Sequence, residues 1–478
     1  MDPIVVEFPA DFKAASQCFV RLVDLAESAR QQAASGSPLD YSLLERAVMT
    51  GAAALQQELH AVVLHALARD AQRLRIDGVV HRRVLRAATT YYTLTGPVVV
   101  ERWLYRPLED RDAPTVDPVA LQVGAFAGTW LPATATTMAF LVQQTPQRDA
   151  AQIASAAGVL PYSTASFHRV TQAVGASYET HQDAIESALI ERYPVPVQAT
   201  GITLSIDRVA GPFEVPRPRS VGRPAKKAPK NPVARIWRMI YCATLSLHDK
   251  DGRALDTLRY GCMPDDEPEG VAAALLADVR ALRAQRPDLL VGMICDGAPE
   301  MWNLLDQAVA DAELEVSVRR LVDLWHLLGY VGKALRVRYD EQRAAQELAR
   351  WKLRLLNRAG AAQQLLDELT RWEANVRSCV VGGEVPVEDA VTYLTNQIAA
   401  GRVDYAGARK AGQPVGSGGV EATCKSLVGI RFKRPGARWK SESGGHVLRL
   451  RAVATSRRWA PAMELLHAER QHEIKRVA

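Results

Sequence analysis

Apolar residues recur at helical spacing through "LLERAVMTGAAALQQELHAVVLHALARDAQRL", in an alphabet rich in Ala, Leu, Gln and Glu. That pattern predicts that residues 1–90 are mainly helix. It then changes: "YYTLTGPVVVERWLYR" has two β-rich runs around Thr95-Gly96-Pro97, a hairpin signal. Pro118–Gln147 carries no charge, but Pro132, Gln122, several threonines and Gln143/Gln144 interrupt it. A buried segment is therefore expected there rather than a membrane span. In residues 149–175 a short helix, a turn at Gly158, a Ser163 cap and a second helix predict a helix-turn-helix-like pair, with small Ala154 letting the two cross closely. Ordinary helical bundles use such pairs as readily.

From about residue 200, strands alternate with helices. "GITLSID" reads as an apolar strand ending at Asp207, and "RIWRMIYCATLSLHDKDG" and "RALDTLRYGCM" as two more joined by a turn at Asp249–Gly252. "EPEGVAAALLADVRALRAQ" is a capped amphipathic helix. "DLLVGMICDGA" is a buried strand ending at Asp296, "PEMWNLLDQAVADA" a helix, and "EVSVRRLVDLWHL" a further strand through Asp323 and His326. Three strands, a helix, then strand–helix–strand is the order expected of an RNase H-like sheet. Residues 329–400 return to helix. The expected organisation is a helical region (1–90), a hairpin plus helix-turn-helix-like region (91–195), the first part of an α/β core (196–328), a helical insertion (329–410) and the last part of the core (411–478).

Composition fits globular domains: 478 residues are 48 % hydrophobic. The net charge is only +6, but it is uneven. Glu214–Arg238 holds eight basic residues and one acid, and Glu421–Ala460 ten basic residues and two acids. Such concentration favours a polyanionic partner, although a solvated charged face is the simpler alternative for either run. The six cysteines are scattered with no C-x-x-C pair, which argues against a local zinc site and a disulfide framework. "MDPIVVEFPADF" lacks a basic region before an apolar core, so no signal peptide is expected and a cytoplasmic protein is.

The acids carry the candidate chemistry. Phosphodiester cleavage and strand transfer need an activated oxygen nucleophile and a stabilised leaving oxygen. Two Mg²⁺ or Mn²⁺ ions roughly 3.5–4 Å apart supply both, held by two or three carboxylates. Asp207 and Asp296 sit at predicted strand ends, where an α/β sheet opens into a crevice. Glu421 follows the glycine turn of "PVGSGGVEATCKSLVGIRFKRPGARW" and opens a helix ahead of the basic run. Each acid also has a plainer role: Asp207 capping a turn, Asp296-Gly297 forming one, Glu421 favoured by a helix dipole.

"GSGGVEATCKSLVGIRFKRPGARW" resembles the signature of DDE transposases of bacterial insertion sequences. It is closest to the ISKra-type group and more distantly similar to Mutator-like elements. "ICDGAPEMWNLL" followed by "LVDLWHLLGYVGKAL" matches the same group's central acid and Asp-x-x-His pattern, and the resemblance runs from about residue 85 to 460. It implies a metal-dependent transposase with an RNase H-like core broken by a helical insertion. Asp207, Asp296 and Glu421 would be its catalytic, metal-binding acids, with two Mg²⁺ or Mn²⁺ ions. Asp323 and His326 would be accessories: His326 beside the scissile phosphate or holding an acid, unless it is simply a satisfied core histidine, and Asp323 a reserve ligand. On a strand, residues three apart face opposite sides, so both reach one metal only if the strand ends between them. The group's pattern leads one to expect glycine after the first acid, where this chain has Arg208.

The implied partners are double-stranded DNA, as element ends and target, and a second copy of the chain, so at least a dimer; the implied location is the bacterial nucleoid. DNA contacts are expected from Arg217, Arg219, Arg223, Lys226, Lys227 and Lys230, where Arg223-Pro224 weakly resembles an AT-hook core. They are expected too from Lys425, Arg431, Lys433, Arg434, Arg438 and Lys440. Trp439 would either stack on an extruded base or anchor its helix. An RNase H-like nuclease limited to hydrolysis, and an inactive or domesticated DNA-binding relic, remain open alternatives.

Overall fold

The computed structural model describes residues 5–216, 233–314 and 317–477. The chain divides into two compact units, Met1–Ile185 with Ala460–Ala478, and Glu186–Trp459.

The first unit opens with α1 (Lys13–Ala34) and α2 (Tyr41–Leu67), whose N-cap Asp40 accepts from the Leu43 N–H at 3.0 Å. Helix was expected up to residue 90, but β1 (Arg73–Ile76) and β2 (Val79–Thr93) occupy 73–93. The cause is local. Asp77 and Gly78 both have positive φ (45° and 86°), forming a tight reversal between strands, and β-branched and aromatic residues fill β2. The expected hairpin is present: β2 pairs antiparallel with β3 (Gly96–Pro107). Next come α3 (Pro118–Gln122), α4 (Pro132–Gln144), α5 (Gln147–Ala156) and α6 (Thr164–Thr180). Ala154 is fully buried, Gly158 turns the chain at φ 69°, and the Ser163 hydroxyl caps α6. Asp117 caps α3 while accepting from Arg102 (2.9 Å) and the Tyr91 hydroxyl (2.7 Å). Among the described residues no helix is long and apolar enough to cross a membrane. The unit boundary falls inside α7 (Gln182–Glu191).

The second unit is mixed α/β. Its sheet has the order β6-β5-β4-β7-β8. β4 (Gly201–Pro216), β5 (Val233–His248) and β6 (Ala254–Cys262) are antiparallel neighbours. After α8 (Pro268–Gln285), β7 (Leu290–Cys295) joins β4 in parallel. After α9 (Pro299–Asp311), β8 (Val318–Val322) joins β7 in parallel. Parallel strands are covered on both faces, which is why residues 201–206 and 291–295 are buried without alternation. One cover is α8 and α9, whose Val271, Leu275, Val279 and Trp302 pack with Ile202, Leu204 and Ile206.

The block after β8 is helical: α10 (Leu324–Arg338), α11 (Glu341–Asn357), α12 (Ala361–Thr370), α13 (Ala374–Arg377), α14 (Pro386–Ala399) and α15 (Tyr405–Lys410). Leu324, Leu327, Leu328, Val331 and Leu335 of α10 pack in its core with Trp351 and Leu394. The chain then returns to the sheet with α16 (Gly418–Thr423), a π-helical turn (Cys424–Gly429), α17 (Ile430–Phe432) and α18 (Ser441–Thr455). Leu427, Val428, Phe432 and Leu448 pack with Ile240 and Cys242 of β5. Finally α19 (Trp459–Arg470) leads back to the first unit, where β9 (Ile474–Arg476) pairs with β1 to give the sheet β3-β2-β1-β9.

Candidate active site

Two strand expectations need correction. β4 does not end at Asp207 but continues to Pro216, carried by its antiparallel pairing with β5. What ends near Asp207 is the parallel pairing, which matches Gly201 with Leu290 through Leu204 with Met293. Continuing that register sets Asp207 opposite Asp296, the first residue after β7. Side-by-side residues in register point to the same face, so the two carboxylates are neighbours where the sheet opens.

The second correction concerns Asp323. β8 stops at Val322, so Asp323 and His326 do not share a strand: Asp323 is the N-cap of α10 and His326 lies in its first turn. Leu-rich helical spacing from Leu324 overrides the short β-like run. The Asp323 side chain is 2 % exposed and fully engaged. One oxygen accepts from the His326 N–H at 2.7 Å, the other from the Ser417 N–H and from the Ser417 hydroxyl at 2.8 Å. Beside it the Leu324 N–H donates to the Val415 carbonyl at 3.0 Å. Thus the segment leading into α16, which carries Glu421, is fastened to the start of α10.

Strand alternation sorts the remaining side chains. Asp207 is opposite Cys242 and Arg208 opposite Tyr241, and directly opposed residues share a face. On the Asp207 face, the Cys424 thiol lies 3.6 Å from the Asp207 carboxylate. Cys424 is one helical turn beyond Glu421, so Glu421 sits on the helix that packs over Asp207. On the opposite face, Arg208 and Tyr241 both bond Glu300 of α9. Arg208 therefore points away from the acids.

Asp296 accepts from the Ala298 N–H at 3.0 Å, and its backbone carbonyl accepts from the Tyr393 hydroxyl of α14 at 2.7 Å. Gly297 is required here. Its φ is 100°, and a Cβ would lie 2.6 Å from the Tyr393 hydroxyl oxygen. Burial raises the Asp207 carboxyl above the usual range, and the Asp296 charge adds to this. The Arg208 N–H, the Cys424 thiol and nearby His326 act the other way. A cleft of about 360 Å³ beside α10 is lined by Trp325, His326, Gly329, Tyr330, Lys333 and Glu421. Asp207, Asp296, His326 and Glu421 thus belong to one neighbourhood. Among the described residues, no three His, Cys, Asp or Glu side chains already converge as an ion-binding group. The chemistry of the donors, paired carboxylate oxygens that repel one another plus an exposed third, fits a hard divalent cation.

The basic residues divide. Arg217, Arg219, Arg223, Lys226, Lys227 and Lys230 lie outside the described residues. Lys425, Lys433, Arg438 and Lys440 are exposed and Arg434 is half-buried, but Arg431 is only 4 % exposed, with its guanidinium 4.6 Å from the Trp439 ring centre. Trp439 is stacked on Phe432, and its backbone bonds Pro212 and Glu214 of β4, so it anchors this segment. Sequence reasoning missed Cys424, Ser417 and Tyr393. Only the one-turn spacing of Cys424 from Glu421 was a usable signal. Compared with models of known protein families and with curated proteins, the chain matches none.

Proposed function

We propose that this chain is a DNA transposase of the DDE type, cutting at the ends of a mobile element and joining them to target DNA on an RNase H-like core. The observation that carries this reading is that Asp207 and Asp296 lie close enough for their charges to interact, just beyond the paired part of β4 and β7, with the Glu421 helix packed against Asp207 through Cys424. Three antiparallel strands followed by two parallel ones also follow the order expected of that core.

Asp207, Asp296 and Glu421 would hold two Mg²⁺ or Mn²⁺ ions, which when bound activate the attacking oxygen and stabilise the leaving one. The protein's own contributions are separate. Asp323 positions Glu421 by tethering Ser417. His326, exposed in the cleft, would donate to a phosphate oxygen. Lys425, one turn from Glu421, and Lys433, Arg438 and Lys440, further along toward the Phe213 end of β4, would neutralise the DNA backbone. Arg208 pairs with Glu300, so it does not compete for the acids in this reading.

The test is cleavage of DNA spanning the gene and its native flanks, with Mg²⁺ or Mn²⁺. Discrete nicks lost in Asp207→Asn, Asp296→Asn and Glu421→Gln, and products joined through a 3′-OH, are expected. Cleavage without joining points to a hydrolytic nuclease, and firm binding with no cleavage by any version points to a DNA-binding relic.

A further inference from the structure

α1 and α2 form a 49-residue helical pair that buries almost nothing: Ala15 and Cys18 in α1, Leu64 in α2. The two helices meet through Leu22 and Gly51, where a Cβ on Gly51 would lie 2.6 Å from the Leu22 methyl. Beyond that seam each helix carries a second apolar stripe. In α1 it is Phe19, Val20 and Val23; in α2 it is Tyr41, Val48, Leu59 and Val63, with Ala52 between them. At 100° per residue the α2 stripe falls within an arc of about 60°, which Glu45 shares, and the paired Glu27 and Arg30 lie within the α1 arc. With Leu22 against Gly51 fixing the helices' rotation, both stripes lie on the same side of the hairpin. All seven large side chains are exposed, Tyr41 by 64 % and Val63 by 57 %.

We infer that this side of the hairpin is the interface with a second copy of the chain, two hairpins packing face to face as four helices. Area and charge select that occupant. The seven side chains leave roughly 600 Å² of apolar surface uncovered. A standard interface takes about 800 Å² from each partner, roughly 60 % of it apolar. Over α1 and α2, Lys13, Arg21, Arg30 and Arg46 are balanced by Asp24, Glu27, Glu45 and Glu58. A zero-charge surface does not repel its own copy and offers nothing to a polyanion, although the whole chain is +6. Neither DNA nor metal enters this surface, so its test is separate from that of the cleavage chemistry.

The experiment is sedimentation equilibrium of the full chain at micromolar concentration without DNA or metal. A mass of twice 52.3 kDa is expected for the parent, and 52.3 kDa for Val20→Glu and for Val63→Glu. Val197→Glu, 85 % exposed in the second unit, should remain a dimer. Helical content by circular dichroism should match in all versions, because the substituted side chains are exposed. A monomeric parent, a dimer that persists in both hairpin variants, or one that forms only when DNA is added overturns the inference.

Discussion

The tether at Asp323 allows a quantitative prediction. Asp323→Asn keeps an oxygen for the His326 N–H, and Asn caps helices about as well as Asp. The other position becomes an NH₂ group, which opposes the Ser417 N–H and is left only a weaker, neutral bond to the Ser417 hydroxyl oxygen. Each bond to the buried carboxylate contributes about 1.5–3 kcal/mol, and part of that loss is recovered by relaxation, so the Asn variant should be destabilised by roughly 2–4 kcal/mol. Asp323→Ala forfeits the cap as well, adding about 1 kcal/mol. Ser417→Ala removes one such bond and should cost about 1.5–3 kcal/mol, and in Asp323→Ala, where the hydroxyl has already lost its partner, it should cost almost nothing. The assay is urea unfolding followed by tryptophan fluorescence, since seven of the nine tryptophans lie in the second unit. DNA cleavage should fall in parallel, with metal needed at higher concentration because Glu421 is less firmly placed. An Asn variant within about 0.5 kcal/mol of the parent, or additive effects in the double variant, would refute the tether.

Other perturbations test other parts. Burial pushes the Asp278 carboxyl up to about 6 from 3.8, against the Tyr260 hydroxyl that bonds it. The folded state therefore holds this proton more tightly than the unfolded one. The stability it confers is full below about pH 4 and is lost as pH rises through 6. Asp278→Asn, which mimics the protonated form, should be more stable than the parent above pH 6 by up to about 3 kcal/mol and indistinguishable at pH 4; a less stable variant at pH 7.5 contradicts this. Gly297→Ala places a Cβ at positive φ against Tyr393 and should lose about 1–3 kcal/mol together with cleavage, so full activity would show that the Asp296 turn is not held as described. Arg208→Ala should cleave as the parent does, since Arg208 pairs with Glu300 on the far face, and abolished cleavage would make it part of the site. Trp439→Ala should destabilise by about 3–5 kcal/mol through lost packing on Phe432, whereas Trp325→Ala, 57 % exposed, should leave the melting curve unchanged.

Local chemistry made much of this chain readable. The 95–97 turn, the Ser163 cap, the buried runs of β4 and β7 and the helices after Arg338 all follow from spacing and capping that neighbouring residues decide among themselves. Where sequence reasoning failed, it weighed one local signal against another: the Asp77-Gly78 reversal was lost in a helical pattern, and the helix beginning at Asp323 was lost in a β-like run.

By itself the sequence determined which acids were candidates, because Asp207 closes an apolar run, Asp296 follows a buried strand and Glu421 lies at the start of a helix. Only tertiary structure decided which of them are neighbours. The parallel register that sets Asp207 beside Asp296 joins residues 89 positions apart, and the Asp323–Ser417 tether spans 94. No local pattern records such contacts, because their stability comes from packing two distant segments against one sheet. The same holds for the face each side chain takes. Arg208 follows Asp207 in sequence, yet pleating sends it to Glu300 while Asp207 meets Cys424.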